Sequence, residues 1–192
     1  MRIFCMKMLL ALLPVLCFSQ NLVLNPSFEQ TAFCPKGIGQ FRNNVAMWTL
    51  PTGGTSDLFA TCGVRDAGVP ANAFGYQEPK FGANYAGLYM ILIGDMREYV
   101  QGQLSGPLQK GQRYTISFWV SLAEHSDHAV NSFAVLLSQH PVGIRTTGFI
   151  KPSEVAASDA GVHQLVAIPG PGVLSDKKVW TKIEATFTAI GS

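Results

Sequence analysis

The sequence has no long apolar run beyond its first 18 residues, and the run there is shorter than the ~20 residues that a membrane-spanning helix needs. It also lacks an excess of either charge. Of 14 basic and 12 acidic residues, two basic ones lie in residues 1–19, which leaves 12 of each in residues 20–192. A neutral chain has no electrostatic footprint for nucleic acid, so we predict neither a transmembrane segment nor nucleic-acid binding.

Familiar catalytic motifs are absent as well. The chain contains no G-x-S-x-G elbow, no phosphate-binding glycine loop and no H-E-x-x-H helix. A glycosidase needs two carboxylates at a set separation, for which Glu78, Glu98 and Glu124 are candidates. We predict that the chain is not an enzyme and keep a glycan-acting hydrolase as an alternative.

Residues 1–19 have the three parts of a secretory signal: two basic residues, an apolar stretch and the small Ser19 at the end. We expect cleavage after Ser19 and a mature chain that begins at Gln20. Lipidation of Cys17 is the alternative. Either way the chain is predicted to be exported, to the periplasm, the outer-membrane surface or the extracellular space.

Cysteines are few once the signal is set aside, since only Cys34 and Cys62 remain. An exported chain meets an oxidising compartment, where an even pair of cysteines favours a disulfide. Closing a loop of this length is worth about 3 kcal/mol in the chain-entropy model. Two buried free thiols are the alternative.

Residues 20–192 are predicted to form a single all-β domain. Glycine and proline are scattered every few residues, and no stretch has a sustained helical period. Apolar and polar residues alternate strictly in residues 114–122 and again in residues 183–189, as in strands with one buried face.

Two further runs, residues 85–93 and 133–138, are apolar on both sides, which predicts central strands or strands that line a ligand groove. Residues 109–112 (QKGQ) predict a turn before the strand that starts at Tyr114. Residues 99–104 are the predicted hairpin partner of that strand.

Residues 21–29 read NLVLNPSFE, and this opening resembles the first strand of secreted jelly-roll modules, best known among bacterial carbohydrate-binding modules and surface proteins. Residues 100–119 (VQGQL…LQKGQRYTISFW) and Trp180 with residues 186–189 (TFTA) resemble later segments of the same modules. The resemblance implies an antiparallel jelly-roll β-sandwich and a glycan ligand.

A closer likeness is to a bacterial cell-envelope domain with the same opening and three further motifs. Here these are residues 48–59 (WTLPTGGTSDLF), 75–79 (GYQEP) and 86–89 (AGLY). In that group the domain often precedes an OmpA-like peptidoglycan-binding domain or a secretion-sorting tail. Such modules usually close with one more strand than this sequence contains, so we expect a truncated jelly roll and a downstream domain in the full-length protein.

Aromatic residues give the candidate ligand-binding positions. Trp119 and Trp180 are out of phase with the apolar stripes of their strands, so they are predicted to face away from the core, either as a sugar-stacking platform or covered by a loop. Trp48, Phe59 and Tyr76 could line a loop-built site or pack locally.

Two groups of residues suggest metals. The resemblance implies a structural calcium with Glu29 and Asn25 among its oxygen ligands, and a turn-capping Glu29 is the alternative. The sequence HSDH at residues 125–128 contains two zinc-ligand types, although a solvated loop is the favoured interpretation. His140 and His163 are isolated in sequence and indicate no site.

We therefore expect an exported, non-catalytic envelope module that binds glycans or acts in adhesion. The alternative is a purely structural domain that positions a downstream anchoring domain and has no ligand of its own.

Overall fold

The computed structural model describes residues 20–191, so the predicted signal at residues 1–19 lies outside the described residues. Within them the regular structure is mainly β, with one α-helix, α1 (Pro152–Ser158), and two short 3-10 helices, Arg65–Ala67 and Ile93–Asp95. The strands are β1 (Trp48–Thr49), β2 (Asp57–Ala60), β3 (Ala71–Asn72), β4 (Gly75–Tyr76), β5 (Asn84–Gly87), β6 (Gln101–Gly102), β7 (Arg113–Val120), β8 (Ser132–Ser138), β9 (His163–Pro169) and β10 (Thr181–Thr188).

These strands form antiparallel pairs. In the described part of the chain they are β1–β6, β2–β5, β3–β4, β7–β10 and β8–β9. The predicted all-β class is therefore confirmed. The short α1 was not predicted; it begins with Pro152, and the main-chain N–H of Lys151 donates to Glu154 (2.8 Å).

The described chain divides into a first region, residues 20–112, and a second region, residues 113–191. The second region contains the long strands. The predicted alternation is confirmed in β7 and β10, where Ile183 is 2% exposed and its neighbours Lys182 and Glu184 are exposed. β8 confirms the strand predicted at residues 133–138. The two strand pairs β7–β10 and β8–β9 share one apolar core, centred on Val166, Ile168, Leu174 and Ile183.

The predicted hairpin between residues 99–104 and β7 is wrong. β6 pairs with β1 instead, and β7 pairs along its whole length with β10, from Thr181 opposite Val120 to Thr188 opposite Arg113. An eight-residue partner with a matching apolar stripe outcompetes a two-residue one. The predicted turn between them is present, since the N–H of Gln112 donates to the carbonyl of Gln109 (3.0 Å).

The first region, residues 20–112, has strands of two to four residues around a second apolar core. Its buried members are Phe41, Val45, Leu50 and Leu58. The predicted disulfide is present between Cys34 and Cys62, with Cα atoms 5.5 Å apart. It closes the chain around this core and indicates an oxidising compartment.

The opening motif at residues 21–29 anchors the first region. Val23 forms an isolated antiparallel bridge with Leu104. The ring of Phe28 packs edge-on against Trp48, with centroids 4.9 Å apart, and the indole N–H of Trp48 donates to the carbonyls of Leu24 and Asn25. These contacts hold residues 21–29 against the middle of the first region.

The strand predicted at residues 85–93 is shorter than expected, because β5 ends at Gly87. A Cβ at Gly87 would lie 2.4 Å from the Phe59 ring, so the chain passes close to that ring. Beyond this point the chain turns outward at Gly94 (φ +77°), and Ile93 is 92% exposed. Ile91, Leu92 and Ile93 are therefore exposed to solvent and do not form part of a central strand.

Candidate functional site

A half-open cavity of about 250 Å³ lies in the first region. It is lined by Ile38, Gly39, Thr55, Asp57, Phe74, Tyr89 and Glu98. Ligand cavities for drug-sized molecules span about 300–1,000 Å³, so this one suits a small group or a single sugar unit. We call it the Asp57 cavity.

Asp57 begins β2, a strand in which all four residues are buried. Asp57 itself is 5% exposed, and its Oδ1 accepts the main-chain N–H of Gly39. Gly39 adopts φ +73°, a conformation that favours glycine. In residues 20–191 no group donates a hydrogen bond to the other oxygen, Oδ2. Oδ2 is not among the fully buried side-chain atoms without a partner, so it keeps some solvent exposure. Asp57 therefore lines the cavity with one carboxylate oxygen, Oδ2, that has no hydrogen-bond partner in the described residues.

Glu98 is the second buried acid of the cavity, at 7% exposure. Its Oε1 accepts the N–H and the hydroxyl of Thr55, both at 3.0 Å, and its Oε2 accepts the N–H of Tyr89 at 3.0 Å. The neighbouring Arg97 instead pairs with Asp95 (3.0 Å). Glu98 thus has neutral hydrogen-bond donors but no cationic partner among the described residues.

The environment of the cavity changes the ionisation of its residues. Burial, opposed by the Gly39 hydrogen bond and reinforced by the charge of Glu98, raises the pKa of Asp57 to about 6. Burial and then the charges of Asp57 and Glu98 raise the pKa of Tyr89. Perturbed acids in a concave site are typical of functional sites, although structural networks also produce them.

Aromatic rings form one wall of the cavity. Phe74 and Tyr89 meet edge to face with centroids 5.6 Å apart, and Phe59 meets Phe74 at 5.9 Å. Tyr89 is 38% exposed, so part of the residue is accessible to solvent. The cavity therefore combines carboxylate acceptors with apolar ring surface.

The two predicted platform residues, Trp119 and Trp180, lie together against residues 78–85. The Nζ of Lys80 lies 3.8 Å from the centroid of the Trp119 ring. The indole N–H of Trp180 donates to the carbonyl of Glu78 (2.8 Å), and its ring meets Tyr85 at 5.6 Å. Both rings are half-buried. These contacts fit the loop-covered alternative, and the sugar-stacking platform stays a prediction.

The other predicted aromatics separate. Trp48 packs against the apolar core of the first region. Phe59 is 2% exposed and lies beside the cavity, whereas Tyr76 is 59% exposed and lies outside it. The main-chain N–H of Tyr76 donates to Glu124 (2.8 Å). The structure does not bring Tyr76 and Trp48 into one site.

Glu29 and Asn25, the predicted calcium ligands, both accept main-chain hydrogen bonds. The carboxylate of Glu29 accepts the N–H groups of Ala83 and Asn84 at 3.1–3.2 Å. The side chain of Asn25 bonds Gln30 through both its oxygen and its nitrogen, and also bonds the carbonyl of Ala46. These contacts fit the turn-capping alternative, and calcium stays a prediction.

Residues 125–128 form a loop, as favoured from the sequence. His125 contacts the carbonyl of Ala73 (3.0 Å), and Lys177 donates to the carbonyls of Glu124 and Ser126. Nowhere in residues 20–191 do three His, Cys, Asp or Glu side chains form a group that could hold a metal ion.

His140 and His163, which are isolated in sequence, meet in the structure on the buried carboxylate of Asp159. His140 Nδ1 lies 2.9 Å from Oδ1, and His163 Nε2 lies 3.1 Å from Oδ2. The hydrogen bonds from His140 and from the N–H of Gly161 lower the pKa of Asp159 to about 2. This cluster links Asp159, at the end of α1, to His163 in β9 and to His140 after β8.

A second hollow, of about 350 Å³, lies beside the bridge between Thr31 and Val45. The side-chain nitrogen of Asn44 is buried there without a hydrogen-bond partner. Its lining contains no ionisable or aromatic side chain, so it offers less chemistry than the Asp57 cavity.

Asp57 was not predicted as a site residue, although it lies in the motif at residues 48–59. The available signal was a charged residue at the head of the apolar run Leu58-Phe59-Ala60, where an acid is expensive to bury. Of the three glutamates proposed for a carboxylate pair, only Glu98 is buried, and Asp57 is the acid beside it.

In the described residues, no helix has the length and apolar character required to cross a membrane. No protein-family model, curated protein or solved structure matches the chain.

Proposed function

We propose that the chain is an exported, non-catalytic module of the cell envelope that binds a glycan in the Asp57 cavity. The carrying observation is the combination in one cavity of buried carboxylates and accessible ring surface, from Asp57, Glu98, Phe74 and Tyr89. Carboxylates accept hydrogen bonds from sugar hydroxyls, and rings pack on the apolar face of a pyranose. Export is supported by the disulfide and by the signal-like residues 1–19.

The jelly-roll order of the strands and the envelope location are part of this proposal. They are supported by the order of the motifs at residues 21–29, 48–59, 75–79 and 86–89. The antiparallel pairing of all strands in residues 20–191 is compatible with that order.

A glycan array probed with the purified protein tests the proposal. Saturable binding that is lost in Asp57→Asn and in Tyr89→Leu, but kept in Trp119→Ala, supports a glycan site in the Asp57 cavity. Loss in Trp119→Ala with retention in Asp57→Asn moves the site to the Trp119 face. No binding by the folded protein overturns glycan recognition.

Two observations favour other functions. The covered rings of Trp119 and Trp180 fit a structural domain without a ligand, for which the array stays empty. The acid Asp57, with its pKa of about 6 beside Glu98, resembles the acid of a glycosidase pair. However, three donors already engage Glu98. Release of reducing ends from any bound glycan, abolished by Asp57→Asn, would establish hydrolysis.

A further inference from the structure

The Asp57 cavity has an unbalanced charge. Asp57 and Glu98 are both more than nine-tenths buried, and no Lys, Arg or His is among the residues that line the cavity. No ion pair in the described part of the chain involves either acid. Buried charges in proteins are ordinarily paired, because an unpaired one loses its hydration without compensation.

Glu98 and Asp57 differ in how far neutral donors compensate them. Glu98 accepts three hydrogen bonds, so both of its oxygens are engaged. Asp57 accepts one, from Gly39, and its Oδ2 is without a partner in residues 20–191. The raised pKa of Asp57 is the consequence expected of a buried carboxylate without a cation nearby. The position left open at Oδ2 suits a hydrogen-bond donor, and the local charge favours a positive one.

The aromatic wall points to the same chemistry. The faces of aromatic rings attract cations through the ring quadrupole, and ammonium groups are often held by rings together with carboxylates. Phe74 and Tyr89 line the cavity that Asp57 and Glu98 line, and Tyr89 is partly accessible. Acids and rings are thus arranged around one small space.

We propose that the Asp57 cavity binds a protonated primary amine and that, among glycans, it selects sugars with a free amino group over their N-acetylated forms. This rests on the proposed glycan-binding function and narrows its ligand class. The ammonium group donates to Oδ2 of Asp57 and lies against the ring of Tyr89, while Glu98 adds negative potential. Acetylation removes the positive charge and adds bulk, so it abolishes both contacts.

The test is a calorimetric or NMR titration at neutral pH with three oligosaccharides of equal length: oligomers of glucosamine, of N-acetylglucosamine and of glucose. We expect the glucosamine oligomer to bind at least about tenfold more tightly than the other two, as the loss of one charged hydrogen bond implies. Asp57→Asn removes this preference, whereas Asp127→Asn, an exposed acid in the loop at residues 125–128, keeps it.

Tyr89→Leu is a second variant. Tyr89 is 38% exposed and is not a core residue, so we expect this substitution to keep the fold. It should weaken binding of the amine oligomer while Asp57 remains. Equal affinity for all three oligomers, lost in Asp57→Asn, overturns the amine preference and keeps the glycan site. Amine binding unchanged in both variants places the amine elsewhere and overturns the inference. No binding of any oligomer overturns both proposals.

Discussion

The first and second regions are stabilised in different ways. The second region has strands of seven or eight residues around an apolar core, and Asp159 is its one buried polar side chain in the described residues. In the first region the strands have two to four residues, and a disulfide closes the chain. Its buried polar residues are Asn25, Asn44, Thr52, Ser56, Asp57, Asn84 and Glu98. Side-chain hydrogen bonds to the main chain there take the role that long ladders have in the second region.

The pKa values of two buried aspartates, one in each region, show this difference. Asp57 and Asp159 are 5% and 6% exposed, yet the pKa of Asp57 is raised to about 6 and that of Asp159 is lowered to about 2. Asp159 contacts two histidines and two main-chain N–H groups, whereas Asp57 accepts one hydrogen bond and faces Glu98. Burial, opposed by only one hydrogen bond, raises the pKa of Asp57, whereas the hydrogen bonds from His140 and Gly161 lower the pKa of Asp159. The uncompensated one lies in the cavity, where a ligand could compensate it.

The largest effect should come from the apolar core of the second region. Ile168 in β9 is 0% exposed, so Ile168→Ala leaves a cavity that costs about 2–5 kcal/mol of unfolding free energy. Leu165 lies in the same strand and is 69% exposed, so Leu165→Ala should change stability by at most about 0.5 kcal/mol. Urea denaturation measures both. Similar losses in the two variants would contradict the one-sided burial of β9.

Removal of the disulfide should weaken the first region selectively. Replacing Cys34 and Cys62 together by serine releases a loop between positions 28 apart in sequence, and we expect a loss of about 3 kcal/mol. Hydrogen exchange should become faster around β2 while β9 and β10 keep their protection, if local opening of the first region precedes global unfolding. Uniform acceleration across both regions would show that they unfold as one unit.

The same contrast explains which features could be predicted from the sequence. Alternation predicted β7 and β10 because each strand has one face on an apolar core, and a run that is apolar on both sides predicted β8. The strand predicted at residues 85–93 ends early, and the N–H of Tyr89 donates to Glu98 instead. The hairpin predicted for residues 99–104 does not form, because the short β6 pairs with β1. Such contacts join residues that no local pattern relates.

The side-chain clusters show the same limit. The disulfide was predictable because only two cysteines remain outside residues 1–19. His140 and His163 come together because β8 and β9 pair, with Ser138 opposite His163, and because Asp159 follows α1. The Asp57 cavity likewise assembles from five separate stretches of chain, at residues 38–39, 55–57, 74, 89 and 98. Its only local sign is one acid at the head of an apolar run.

A smaller loss is expected from a buried amide of the first region. Asn25 has φ 47° and three side-chain hydrogen bonds, while Asn43 has φ 60°, is exposed and makes no side-chain hydrogen bond within residues 20–191. Both alanine variants bear the cost of a left-handed backbone, about 1–2 kcal/mol. Only Asn25→Ala also leaves main-chain groups unpaired, which adds about 1–3 kcal/mol. Equal urea midpoints for the two variants would show that the amide contributes nothing.

The subtlest expected effect is a pair of opposite pH dependences. The pKa of Asp57 is higher in the folded state than the ordinary value of 3.8, so the folded state binds the extra proton between about pH 4 and 6. Stability therefore falls as the pH rises through that range, and Asp57→Asn removes the fall. The pKa of Asp159 is lower in the folded state, so its contribution is present above about pH 4 and is lost as the pH falls towards 2. Asp159→Asn should remove that acid loss and destabilise the protein at neutral pH.

Urea midpoints of the wild type and both variants between pH 2 and 7 measure these slopes. Each variant is the other's control, since the two residues have similarly low exposed fractions and receive the same substitution. If the difference between Asp57→Asn and wild type is flat from pH 4 to 6, Asp57 has a compensating partner in solution. The contrast between the two aspartates would then be lost, and with it the charge argument for an amine ligand. A rise in that difference with pH, opposite in sign to that of Asp159→Asn, would establish that one buried acid of this protein is left uncompensated until something binds.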